Sequence, residues 1–192
     1  VAFVGDKYAN PVRPETAVYF TTSGGIIQGS TLTNESGIGS VNLISALPKP
    51  NHPTLGEGFA TITASTIDEN SNTISRETIV LFSGIPQVSI NPSSINVPNA
   101  GSQQFTFFVG DQNGNPLSNG TNVTVVVDGQ SVDAQGDLDF SLPDTQSPSW
   151  TQFSFVVYDI EDTLAMVHPA TIKIEVAGPN GQAFRTITGV GN

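Results

Sequence analysis

The chain has no cysteine. That excludes a disulfide scaffold, a thiolate nucleophile and a zinc site built on thiolates. Basic residues are scarce too: six Lys and Arg stand against seventeen Asp and Glu, for a net charge of −11 over 192 residues. No stripe of cations exists to neutralise phosphates, which argues against a nucleic-acid partner. The two histidines, His52 and His168, lie in different halves and cannot form a His-rich metal site. No apolar run approaches the ~18 residues of a membrane-spanning helix. No stretch repeats apolar residues at helical spacing over three turns, and 19 Gly and 13 Pro interrupt the chain throughout. The chain opens at Val1 without an initiator Met or a basic, apolar leader, which reads as a mature or trimmed piece.

What remains is polar without being charged. Charged residues make up 12%, about half the usual ~25%. Thr, Ser, Asn and Gln together supply a third of the residues, so hydroxyls and amides must solvate the surface. Hydrophobic residues at 37% suffice for a small core in each of two domains.

Strand signals recur along the chain. Thr16–Thr21 is rich in β-branched and aromatic residues, and Phe59–Ala64 and Asn122–Val127 alternate in the same way. In Ala170–Val176 the residues Ile172, Ile174 and Val176 share one face, and Lys173 and Glu175 share the other. That pattern predicts a half-buried antiparallel strand. Short strands parted by Gly, Pro, Asn and Asp predict an all-β fold of sandwich type.

An internal repeat gives the organisation. Phe3-Val4-Gly5-Asp6 matches Phe108-Val109-Gly110-Asp111, Asn10-Pro11-Val12 matches Asn115-Pro116-Leu117, and Val18 matches Val123. Further along, Gly37–Leu43 is similar to Gly136–Leu142, and Ala60-Thr61-Ile62 matches Ala170-Thr171-Ile172. Two tandem immunoglobulin-like β-sandwiches are expected, at 1–84 and 86–192, with an insertion around 143–168 in the second. Ser83-Gly84-Ile85-Pro86 reads as a short, stiff joint, because Pro86 fixes its own φ and restricts Ile85. The second unit has about twenty residues, Pro86 to Phe105, ahead of the point that matches Val1, including a predicted strand over Gln87–Val97. The first unit lacks this N-terminal strand within the chain, and is expected to have an open edge and an uncovered core groove. Two explanations stand: truncation, or a strand supplied by another chain.

The motifs have structural readings. In Asp-x-x-x-Asn-Pro the Asp accepts turn amides, and Asn before Pro leaves the turn extended. Gly37 and Gly136 precede alternating runs at places where a positive φ costs a glycine little. The series Asp6–Val12, Ala17–Thr22, Gly25–Ile27, Leu32–Gly37 and Ala60–Ala64, with Asp111–Leu117 repeating its first motif, resembles bacterial Ig-like domains of the invasin and intimin kind. The resemblance covers most of 1–84 and is weaker over 86–192. It implies β-sandwich modules strung as rods on bacterial surfaces or in secreted proteins, used chiefly as spacers. No catalytic residue comes with it.

Chemistry-bearing groups are few. His52-Pro53 and His168-Pro169 sit in turn-like surroundings, away from any nucleophile turn, and no enzyme activity is expected. Asp137 and Asp139 lie two apart in a predicted strand and should share a solvated face. Asp128, Asp133, Asp137 and Asp139 crowd one stretch of the more acidic second unit, which makes calcium the one cofactor to consider, although no Asp-x-Asp-x-Asp-Gly loop is present. Residues 143–168 carry the only Trp, Trp150, with Phe153, Phe155 and Val157 on alternate positions. These three are expected on the core, and Trp150 with Tyr158 is the candidate ligand-binding surface. The sequons at Asn34, Asn119 and Asn122 are chance matches in so Asn-, Ser- and Thr-rich a chain. The chain thus reads as an extracellular, bacterial structural module, a rigid spacer or a filament-forming repeat with head-to-tail strand complementation. Its partners would be adjacent modules or identical subunits. The alternative is an adhesin module binding a glycan or protein through the second-unit insertion.

Overall fold

A computed structural model describes residues 1–160 and 166–191. The chain divides into two compact units, Val1–Phe82 and Ser83–Asn192. The fold is all-β. A single 3-10 turn, Pro148–Thr151, is the one helical element among the described residues.

The first unit contains β1 (Ala2–Phe3), β2 (Ala17–Thr22), β3 (Ile26–Ile27), β4 (Ser30–Leu32), β5 (Ile38–Gly39), β6 (Leu43–Ile44), β7 (Asn51–His52), β8 (Gly56–Glu57), β9 (Phe59–Ile67) and β10 (Thr73–Leu81). One sheet runs in the order β10-β9-β2-β4, all antiparallel. Three short antiparallel pairs accompany it, β1-β5, β3-β6 and β7-β8. Val18, Phe20, Ala60 and Ile62 are buried, with Ala2, Val4, Ile27, Val41 and Leu43 packed on them from the opposing layer.

The second unit contains β11 (Pro86–Asn91), β12 (Ile95–Val97), β13 (Ser102–Asp111), β14 (Asn122–Gly129), β15 (Val132–Gly136), β16 (Asp139–Ser141), β17 (Gln152–Asp159), β18 (His168–Gly178) and β19 (Gly181–Gly191). Its two sheets are complete, β11-β13-β17-β15 facing β12-β19-β18-β14-β16. The alternation in β18 works as its sequence predicts: Ile172, Ile174 and Val176 are buried, while Lys173 and Glu175 are half exposed and paired at 2.5 Å. The predicted strand over Gln87–Val97 is two strands, broken by Pro92, with β11 joining one sheet and β12 the other. His168 opens β18 opposite Gly191 rather than lying in a turn.

The two units share one antiparallel three-strand register. Phe20 faces Ala64, and Ala64 faces Arg76, across β2-β9-β10. Val125 faces Ile174, and Ile174 faces Arg185, across β14-β18-β19. The repeat motifs fall at equal places in the two registers. One match does not. The strand beside β1 is β5, where Phe3 faces Ile38, whereas β13 is flanked by β17, where Phe107 faces Phe153. Gly37–Leu43 therefore corresponds in place to β17, and Gly136–Leu142 runs instead through β15 and β16. Both stretches are a glycine followed by an alternating run, and that local pattern does not specify a partner strand. The expected insertion at 143–168 consequently holds a core strand common to the fold, and the extra material is β15-β16 upstream of it. Residues 161–165 of that stretch lie outside the described residues.

Residues 83–85, read as a joint, are fastened within the second unit. Ser83 Oγ donates to the Pro116 carbonyl at 2.8 Å, and the Gly84 amide donates to Asp111 Oδ2 at 2.9 Å. The Ile85 amide donates to Gln112 Oε1 at 2.5 Å, and Asn180 Nδ2 donates to the Ser83 carbonyl at 2.8 Å.

Candidate functional site

The sequence-derived candidates can be placed one by one. Trp150 sits in the 3-10 turn ahead of β17, 39% exposed, with its ring edge-on to Phe153 at 6.4 Å. Phe153 packs on Phe140 at 4.5 Å and Phe107 at 5.5 Å, so the indole caps an aromatic stack that leads into the core. Tyr158 lies near the other end of β17. Six residues of extended strand separate Gln152 from Tyr158, about 20 Å at ~3.3 Å per residue. Trp150 and Tyr158 therefore do not form one binding surface. The Tyr158 hydroxyl donates to Asp133 Oδ2 at 3.3 Å, and the charge of Asp133 raises the phenol above its ordinary value. As expected, Phe155 and Val157 are buried, and Phe153 is partly so.

The four aspartates do not converge. Asp128 is opposite Thr171 on the five-stranded sheet, and Asp133 is opposite Tyr158 on the four-stranded one. Asp137 lies in the crossing between the sheets, where its Oδ2 accepts the Ser154 amide at 2.9 Å. Asp139 returns to the five-stranded sheet opposite Thr124. Asp137 and Asp139 thus belong to different surroundings rather than to one strand face. Among the described residues no group of three or more His, Asp or Glu is arranged to hold a metal ion. Proximity along the chain misled here because the stretch changes sheets twice.

Asp6 and Asp111 do what their motif predicts. Asp6 Oδ1 accepts from the amides of Tyr8 and Asn10, and Asp111 Oδ1 from those of Asn113 and Asn115, all at 2.8–2.9 Å. Sequence reading missed a third copy. Asp68 Oδ1 accepts from the amides of Asn70 and Asn72 at 2.9 and 2.7 Å. The Asp-x-x-x-Asn spacing was its signal, without the following proline. Hydrogen bonds from Asn10 hold Asp6 below the ordinary aspartate value, and those from Asn72 do the same for Asp68. His52 is engaged locally, its Nδ1 accepting the Thr54 and Leu55 amides at 3.2 Å.

There is also a groove, in the unit for which the sequence predicts an open edge and an uncovered core groove. It lies in the first unit between β1 and β10 and encloses about 540 Å³. Its floor is Val18, Phe20, Ile62 and Ala64, and Val41 and Leu43 line it from the short layer. Phe3 on one rim is 79% exposed, and Ile74 on the other is 52% exposed. In the second unit the residues equivalent to the floor, Val123, Val125, Ile172 and Ile174, are sealed in a cluster that includes Ile95, Val97, Phe105 and Val109.

No family model matches the chain, and no curated protein matches it. Among solved structures it is similar to domains 4 and 5 of the S-layer protein SbsC, at 15% identity and a TM-score of 0.39, covering 98% of this chain and 78% of that one. It is also similar to the Yersinia pseudotuberculosis adhesin InvE, at 15% identity and a TM-score of 0.33, covering 96% of this chain and 51% of that one. A Parabacteroides merdae β-glucuronidase is matched at 14% identity and a TM-score of 0.31, over 90% of this chain and 21% of the enzyme. The chain thus spans about half of the adhesin structure and about a fifth of the enzyme. At such identities and scores no functional residue is carried over.

Proposed function

We propose that the chain is a tandem pair of bacterial Ig-like modules of the invasin and intimin kind, serving outside the cell as a structural element of a surface or secreted protein. The observation that supports this reading is the shared register of β2-β9-β10 and β14-β18-β19, with the Asp-turn motif repeated at the same place in each unit. The chemistry is mechanical rather than catalytic. Each module buries the alternating face of its strands, and an acidic, hydroxyl-rich surface keeps neighbouring copies from sticking. A chain without cysteine can fold after export with no oxidation step. Protease shaving of intact cells that make the parent protein tests the location. Peptides from 1–192 should be released before lysis, and their confinement to the lysate would overturn the assignment.

A second reading has one observation in its favour, the partly exposed indole of Trp150 over its aromatic stack. An exposed Trp offers large contact area at small entropic cost. On a glycan array, an adhesin of this kind would bind as wild type and lose binding as Trp150→Ala. Silence from both proteins removes the glycan-binding form of this reading.

A further inference from the structure

We propose that Asn119 is a site of spontaneous deamidation, and that Asn180, with the same local chemistry, is shielded by the hydrogen bonds it makes. The chain has three Asn-Gly pairs, at 113–114, 119–120 and 180–181, all in the second unit. In such a pair the glycine nitrogen attacks the asparagine Cγ, and no Cβ on the glycine blocks the approach. A C–N bond forms, the Cγ–Nδ2 bond breaks, and the proton of the attacking nitrogen leaves with ammonia. Water then opens the succinimide ring at either carbonyl, which gives Asp or isoAsp. One water enters and one ammonia leaves, and no oxidant or reductant is needed.

The three sites differ in what holds them. Asn180 is half-buried in the turn between β18 and β19. Its Oδ1 accepts from the Ser118 amide at 3.1 Å and from the Ser118 hydroxyl, and its Nδ2 donates to the Ser83 carbonyl at 2.8 Å. Swinging this amide group over the Gly181 nitrogen breaks those bonds, and the departing nitrogen is the one that holds Ser83. Asn113 is exposed but sits in the Asp111 turn. Its own amide donates to Asp111 Oδ1 at 2.8 Å, and the Gly114 amide donates to the Asp111 carbonyl at 3.0 Å. The Asp111 carboxylate is buried and also accepts the amides of Gly84 and Asn115, so this turn resists reshaping. Asn119 is exposed in the loop ahead of β14. Longer bonds close its loop, from the Gly120 amide to the Leu142 carbonyl at 3.1 Å and from the Thr121 amide to the Ser118 carbonyl at 3.2 Å. A Cβ at Gly120 would meet nothing within 4 Å, so there is room beside the attacking nitrogen.

The change has a structural consequence at this place. IsoAsp lengthens the main chain by one carbon between Ser118 and Thr121. Thr121 is buried, and its Oγ1 donates to the Ser118 carbonyl at 2.7 Å, a closure that the longer chain disturbs. Either product adds one negative charge to a chain already at −11.

The test ages the full chain in warm, mildly alkaline buffer, once native and once in concentrated urea, with peptide mapping by mass spectrometry. In the native chain Asn119 should convert first, and Asn180 at least about tenfold more slowly, because local opening must precede its reaction. In urea the three Asn-Gly pairs should convert at similar rates. A native Asn180 that keeps pace with Asn119 would overturn the shielding, as would the same unequal order in urea, which would trace it to neighbouring residues rather than to the fold. Asn113 converting ahead of Asn119 would overturn the choice of site. So would an Asn119 that survives in the native chain and converts only in urea. Asn119→Gln should remove the earliest acidic species seen on ion exchange, and its persistence would place the event elsewhere.

Discussion

An aspartate accepting amides two and four residues ahead closes the same turn three times in this chain, at Asp6, Asp68 and Asp111. The residue three after each takes a positive φ: Ala9 at 64°, Ser71 at 65° and Gly114 at 82°. The three differ in burial. Asp111 is 1% exposed and also accepts the Gly84 amide, so removing its carboxylate strands three amide donors at once. Asp111→Ala should cost roughly 2–3 kcal/mol, the scale of hydrogen bonds to a charged group, measured by urea unfolding. Asp6 and Asp68 lie at the surface, and their effect is on titration. Both have folded pKa values below those of the unfolded chain. Their contribution is therefore full above the unfolded value of about 4, and it is lost as pH falls through the folded value. Side-chain amide signals of Asn10 and Asn72, followed by NMR from pH 5 to 2, should move with midpoints below 4. Midpoints at or above 4 would show that the turns do not hold the charge.

Among elements, β17 decides the second unit. Phe155 stacks on Phe105 at 5.3 Å with an interplanar angle of 14°, and both are fully buried. Phe155→Ala should cost about 3–5 kcal/mol, read from the urea midpoint. The crossing before β17 depends on Gly136, whose φ is 133° and whose missing side chain would press on Phe155 and the Ser154 carbonyl. Here the expectation of a positive φ holds, as it does for Gly37 at 71°. Because that crossing spreads Asp128, Asp133, Asp137 and Asp139 over two sheets, millimolar calcium followed by EDTA should leave the melting temperature of the second unit unchanged. A calcium-dependent rise of several degrees would mean that the acids gather in solution.

The molecule as a whole carries two cores of unequal size. Seventeen buried apolar side chains cluster in the second unit and four in the first, among the described residues. At ~25 cal/mol per Å² of apolar surface, this difference leaves the first unit the weaker of the two. Two unfolding transitions are expected by calorimetry, and Phe155→Ala should move only the upper one. A single transition shifted as a whole by Phe155→Ala would show that the units unfold together.

Read along the chain, strand periodicity, the lack of long helical spacing, the Asp turns and the recurring motifs are all patterns in neighbouring positions. Ile172, Ile174 and Val176 had to share a face whatever they packed against. Partner choice is a different matter. Gly37–Leu43 and Gly136–Leu142 look alike as strings yet pair with different strands, and four aspartates crowded into twelve residues separate once the backbone crosses between layers. The depth of the first-unit groove belongs to the same class. It depends on which side chains of β2, β9 and β10 meet across the sheet and on how little of a second layer lies over them. Such contacts join residues far apart in sequence, where no local spacing can encode the distance.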